Sequence, residues 1–284
     1  MLVACLMVLA AALCFVQQTR DTVALRLSLR AGDVFRYRCI FEFTSPWLAE
    51  TTSRERLRGE LDVCLHVMAT SATGPSEIDA EVRRVRPVTD GMTMVASTPV
   101  DTPANGPEPE VMRVRVTIDE DGGIMSLDGV PAGEMLRRIM VSVNGVTQPP
   151  QLQPRDALPF SLMQVFCRLP TGPIAVGEPW PASDVPDAGS LFRSKVDRWV
   201  SSIDDDAVVV RVDGETAMNP TQIDAAVTME SKGSLGGTER ISRRDGLLIE
   251  RSLVIKYVVR AKADDGASRT MGKQTITVVR VTTP

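Results

Sequence analysis

The chain has 284 residues, 32 basic against 36 acidic side chains, one histidine, and an aromatic content of 4%. A net charge of −4 gives no strong field for nucleic acid or an anionic membrane, and so few aromatics leave little to stack sugars or bases on. Only five of the basic residues are lysines (Lys195, Lys232, Lys256, Lys262 and Lys273), an arginine dominance read as codon bias before anion recognition.

The chain opens on an uncharged apolar run, Leu2–Val16, followed by Gln17-Gln18. Fifteen helical residues rise about 22 Å, short of the roughly 30 Å hydrocarbon core. Residues 1–18 therefore read as a secretory signal or an N-terminal anchor, placing the body outside the cytoplasm, periplasmic or extracellular. The first basic side chain is Arg20, and Ala10-Ala11-Ala12 supplies small residues for cleavage, so release and anchoring both stay open.

Most of the body reads as strands. Val34–Phe43 and Leu57–Met68 alternate, Ala72–Pro75 turns, and Glu77–Val88 returns. Proline-rich Ser97–Pro109 is a loop, and Met112–Ile118 turns through Asp119–Gly123 into Ile124–Leu127. Pro131–Val143 carries apolar residues at helical spacing, and Leu158–Phe166 is a second short helical candidate. Strands resume at Phe192–Ile203, Ala207–Ala217, Ile223–Ser234, Glu239–Arg243, Leu247–Ala261 and Arg269–Val281. The expected fold is mainly β: long antiparallel strands in a curved open sheet or half-barrel, with one or two short helices in the middle.

The divisions are an N-terminal β half at 25–148, a proline-rich link with a short helix at 149–180, and a C-terminal β half at 181–284 packed with the first as one domain. Each half opens on Gly-acid-x-aromatic (Gly32-Asp33-Val34-Phe35; Gly177-Glu178-Pro179-Trp180) and carries a late Asp-Gly hairpin. Two similar subdomains, one sheet from a duplicated unit, and chance similarity all fit that pattern.

Three cysteines follow the leader. Alternation sets Cys39 with Tyr37 and Phe41, and Cys64 with Asp62 and His66 away from the apolar Leu61, Val63, Leu65 and Val67, so their pairing requires a bulge. His66, the single histidine, lies mid-strand, which removes His-pair metal sites and leaves no Ser-His-Asp setting. Asp119–Gly122 fails the calcium-loop spacing and reads as an acidic turn, as does Asp204–Asp206. The arginine groups Arg83-Arg84-Arg86, Arg113/Arg115 and Arg243-Arg244 read as solvated strand faces. No catalytic, cofactor or metal residue is assigned.

Two motifs, Leu27–Tyr37 (Leu-x-Leu-x-x-Gly-Asp-x-Phe-x-Tyr) and Leu169–Trp180 with its Pro-x-x-Val-Gly-x-x-Trp core, precede a hairpin at Arg244–Leu248. Together they resemble a family of uncharacterised exported bacterial β-rich proteins; more distantly, the expected sheet is similar to open-barrel envelope lipid carriers. The resemblance implies a secreted β-rich fold of unknown function. The expected role is non-catalytic: binding an envelope protein or an apolar, lipid-like ligand at the bacterial cell envelope, with Met135, Leu136 and Met140 as candidate lining. A purely structural assembly protein and a hydrolase with an unrecognised site are the alternatives. No cofactor and no nucleic acid are expected, and membrane association is expected only through the N-terminus.

Overall fold

The computed structural model describes residues 22–44, 56–71, 74–85, 111–132, 134, 162–182, 192–222, 228–263 and 266–281. Their alternating apolar pattern folds as strands because period two lets each strand bury one side and wet the other. The strands are β1 (Thr22–Val23), β2 (Val34–Thr44), β3 (Arg56–Ala69), β4 (Ser76–Val85), β5 (Val111–Ile118), β6 (Ile124–Leu127) and β7 (Val130–Pro131). After them come β8 (Ile174–Ala175), β9 (Pro179–Ala182), β10 (Phe192–Ile203), β11 (Ala207–Gln222), β12 (Thr228–Ser242), β13 (Leu248–Ala263) and β14 (Gly266–Arg280).

Twelve of these form one antiparallel, curved, open sheet in the order β7-β6-β5-β4-β3-β2-β14-β13-β12-β11-β10-β9; β1 and β8 pair separately. Each half is a meander, and the two are joined where β2 pairs with β14, from Thr44↔Lys273 to Tyr37↔Arg280. The inner face carries the core, including Leu65, Ile78, Val116, Val210, Ile241 and Val278, all fully buried. Residues 162–165 form a helical turn, and Leu162, Val165 and Phe166 belong to that same core.

The two halves repeat in geometry. Gly32 and Gly177 both have positive φ, which glycine adopts without steric cost. Their N–H groups donate to Val67 O of β3 and Val200 O of β10, each at 2.8 Å. Asp33 and Glu178 each accept from the backbone N–H three residues earlier, of Arg30 and Ala175. Register shifts follow at the same places, Val67/Ala69 and Val200/Ser202. The motif that opened each half in the sequence is thus one turn used twice, with Phe35 opposite Leu65 and Trp180 opposite Arg198.

Expected and observed elements differ at several points: β11 runs on to Gln222 past the expected end at Ala217, and the short β1, β7, β8 and β9 lie outside the expected strands. Ile223–Ser234 and Glu239–Arg243 read as separate strands, but β12 runs unbroken from Thr228 through Gly236-Gly237. Gly237 is there for space: a Cβ on it would strike the backbone carbonyl of Ser252 on the adjacent strand. Gly272 similarly lies beneath the Tyr257 ring, an aromatic covering a strand glycine. The expected helix Pro131–Val143 begins one residue late, because Pro131 belongs to β7; Ala132 and Glu134 are helical and the remainder lies outside the described residues. Loop Ser97–Pro109 and residues 1–18 also lie outside them.

Gly237→Ala should therefore destabilise the protein by about 1–3 kcal/mol, the usual cost of overpacking, read as a lower urea midpoint. Gly59→Ala, on a strand position with nothing within 4 Å of the added atom, should leave the midpoint unchanged or slightly raised.

Candidate functional site

Two straps cross between the halves. Ahead of β2, Ser28 N–H donates to Asp245 O in the β12–β13 turn at 3.0 Å; ahead of β9, Leu169 N–H donates to Asp121 O in the β5–β6 turn at 2.7 Å. In each turn the residue after the accepting aspartate is a positive-φ glycine, Gly246 against Arg26 O and Gly122 against Cys167 O. No side chain fits beneath a carbonyl lying that close, so the straps seat only over glycine.

The second strap lies above the most polar part of the core. Glu239 on β12 is flanked by Arg198 on β10 and Arg251 on β13, all nearly inaccessible to solvent. Arg198 donates from Nε to Glu239 Oε2 at 2.8 Å and from Nη2 to Oε1 at 3.2 Å. Arg251 Nη2 stands 2.8 Å from Glu239 Oε1. Arg251 also donates to the carbonyls of Gln164 at 2.7 Å, Met163 at 3.3 Å and Phe166 at 3.2 Å. The Cys167 thiol completes the group, 3.6 Å from Glu239 Oε2. Burial alone would raise the Glu239 pKa, but the two guanidiniums and their hydrogen bonds overcome it and hold it at about 2. Two positive charges against one negative leave a surplus that the strap carbonyls offset.

The register shows what this triad replaces. In the C-terminal half Val200, Val210, Glu239 and Arg251 stand side by side; in the N-terminal half the matching row is Val67, Ile78, Val116 and Leu127. Arg198 lies across from Val212 as Leu65 does from Ala80. Charge occupies three positions in one half where the other half holds Leu65, Val116 and Leu127, all buried.

A second cluster lies at the β12–β13 turn. Arg280 grips Asp245 through both nitrogens, at 3.0 and 2.9 Å, and donates to Leu248 O. Its guanidinium lies 5.2 Å from the Phe35 ring centroid and 5.8 Å from that of Tyr37. Burial pushes Tyr37 up to about 12 against the pull of Arg280. Burial works against the Asp245 carboxylate, yet Arg280 and the Leu247 N–H hold its pKa below the ordinary value. Beside this pair is an open polar hollow of about 460 Å³, rimmed by Asp205, Asp206, Arg243 and Arg244. Glu239 and Asp245 are held as carboxylates and Tyr37 as a neutral phenol, so these clusters keep fixed charge states.

The sequence candidates fall as follows. Met135, Leu136 and Met140 lie outside the described residues. Cys39 is buried on the inner face and Cys64 is half-buried on the outer one, both as free thiols. His66 sits beside Cys64, with Nε2 3.3 Å from Sγ. Asp119 is a turn residue, accepting from the N–H groups of Asp121 and Gly123 and pairing with Arg168 at 2.7 Å. Among the arginines, Arg113 and Arg115 are on the exposed face, paired with Glu81 and Asp79, whereas Arg243 ties two turns together by donating to Asp204 O and Asp205 O. Arg198, Glu239 and Arg251 were not among the candidates; their signal was Arg198 falling in phase with Val196 and Val200 on an apolar strand face.

No family model and no curated protein matches this chain. The crystal structure of an outer membrane channel from Pseudomonas putida F1 aligns at 10% identity over 90% of this chain and 97% of that one, with a TM-score of 0.18. A TM-score that low carries no argument about fold or function. Among the described residues no helix is long and apolar enough to cross a membrane.

Glu239→Gln, which strips the guanidiniums of their counter-charge, should cost roughly 3–5 kcal/mol in urea unfolding. The triple variant Arg198→Leu, Glu239→Val, Arg251→Leu copies the other half and should stay within about 2 kcal/mol of wild type. Glu239 and Asp245 both have lowered folded pKa values, so their stabilisation is complete above the ordinary carboxylate range near 4–4.5 and is lost as pH falls through the folded values, for Glu239 about 2. A urea midpoint that is flat from pH 7 to 5 and falls below pH 4.5 is expected, the fall being smaller in the triple variant.

Proposed function

We propose that this chain is an exported, non-catalytic protein that binds an apolar, lipid-like ligand or a partner presenting such a surface at the bacterial cell envelope. The observation that carries the reading is the inner face of the sheet. Beyond the seat of the 162–169 strap its apolar pattern continues through Phe41, Leu235 and Ile255, which stay only partly buried, and through the half-buried Tyr257. An open sheet with a curved apolar side offers area for hydrocarbon without the closed wall of a barrel, and burying such area contributes about 25 cal/mol per Å². The apolar leader at residues 2–16 supports the envelope address.

The test is lipid uptake by the full-length chain, incubated with vesicles of phosphatidylethanolamine and phosphatidylglycerol, re-isolated, and examined by native mass spectrometry. A bound phospholipid is expected in the wild type. Its occupancy should fall by roughly tenfold in Ile255→Glu, on the inner face, because a buried carboxylate is costly there. Thr238→Glu, exposed on the outer face, should bind as the wild type does. An empty wild type, or equal loss in both variants, would contradict the reading.

A further inference from the structure

On β3 Cys64 and His66 share the outer face with the buried Leu65 between them, used by neither the core nor the straps, and Met68 follows at the register shift between Val67 and Ala69. We propose that Cys64 and His66, with Met68 beside them, form a binding site for a soft monovalent metal ion, Cu(I) or its analogue Ag(I).

Geometry supports the first two ligands. Cys64 Sγ lies 3.3 Å from His66 Nε2, and both side chains are half-buried rather than sealed. A three-coordinate ion holding a thiolate at about 2.3 Å and an imidazole nitrogen at about 2.0 Å, with an angle of about 120° between them, sets those atoms roughly 3.7 Å apart. The pair therefore needs to open by only a few tenths of an ångström. With N–H on Nδ1, the thiol donates to Nε2, and the ion replaces the shared proton. The balance is one thiol plus one M⁺ giving one metal thiolate plus one released H⁺, with no change of oxidation state.

The donor set selects the ion. Among the described residues no three His, Cys, Asp or Glu side chains are grouped to hold a metal, so ions that demand four hard or borderline ligands are poorly served. The carboxylates on the facing strand are engaged, Glu81 with Arg113 and Asp79 with Arg115, each at 2.9 Å. The next donor along β3 past His66 is the thioether of Met68. Met68 is 51% exposed, a large apolar side chain outside the core, at the register shift between Val67 and Ala69 where the strand bends. A soft thiolate and thioether with a borderline imidazole suit a d¹⁰ monovalent ion content with three ligands.

The competing thiols are few. Cys39 and Cys167 are buried, and Cys5 and Cys14 lie in the leader run, so Cys5→Ser and Cys14→Ser leave Cys64 as the accessible thiol. The full-length chain in that background is titrated with Ag(I), following proton release and the ring-proton NMR signal of the single histidine. Expected are one ion and one proton per chain, and a histidine shift that saturates at one equivalent. Cys64→Ser should abolish both signals; His66→Asn should weaken binding by roughly 100-fold and Met68→Leu by roughly tenfold, with urea midpoints unchanged. A His66→Asn variant that binds as tightly as its parent, or a histidine signal that does not move, would reduce the site to an ordinary thiol and overturn the proposal.

Discussion

Everything in this fold depends on covering one apolar face of a sheet that does not close. A barrel shields its interior by joining its edges, but here β7 and β9 end the sheet without meeting, so chain from outside the sheet must supply the cover. The straps ahead of β2 and β9 provide it, each crossing to the turn of the opposite half. That crossing explains why Gly122 and Gly246 sit where they do, and why β2 and β14, far apart in sequence, lie together at the centre.

The two halves meet the same requirement with different chemistry. Leu65, Val116 and Leu127 fill their row by packing alone. At the matching positions Arg198, Glu239 and Arg251 accept the desolvation of three charges, which no hydrophobic gain offsets by itself. What the charged set supplies is direction: Arg251 reaches the carbonyls of Met163, Gln164 and Phe166 and so determines where residues 163–166 sit. Packing would hold that segment down but would specify its position less sharply. Past that segment the inner face stays apolar through Phe41, Leu235 and Ile255, which are only partly buried.

Alternation along the chain was enough to find most strands, because half-buried strands write their burial pattern directly: β6 and β10 fall on the expected residues and β2 within one. It also assigned Cys39 and Cys64 to opposite faces. It failed at Gly236-Gly237, since a glycine needed for close approach between strands looks like one needed for a turn. The triad was hidden for a related reason, as an arginine in an apolar phase reads as an error in the pattern until its partner on another strand is known. Which strands neighbour one another is set by long-range pairing, and nothing in a local window records that β2 joins β14.

The most direct test of crossed straps as the cover of the sheet is amide hydrogen exchange at Ser28 and Leu169, whose N–H groups donate across to Asp245 and Asp121. Both should exchange as slowly as the central strands β2 and β14 and become unprotected only with global unfolding. Exchange at the rate of an exposed loop, while β2 and β14 stay protected, would contradict the account.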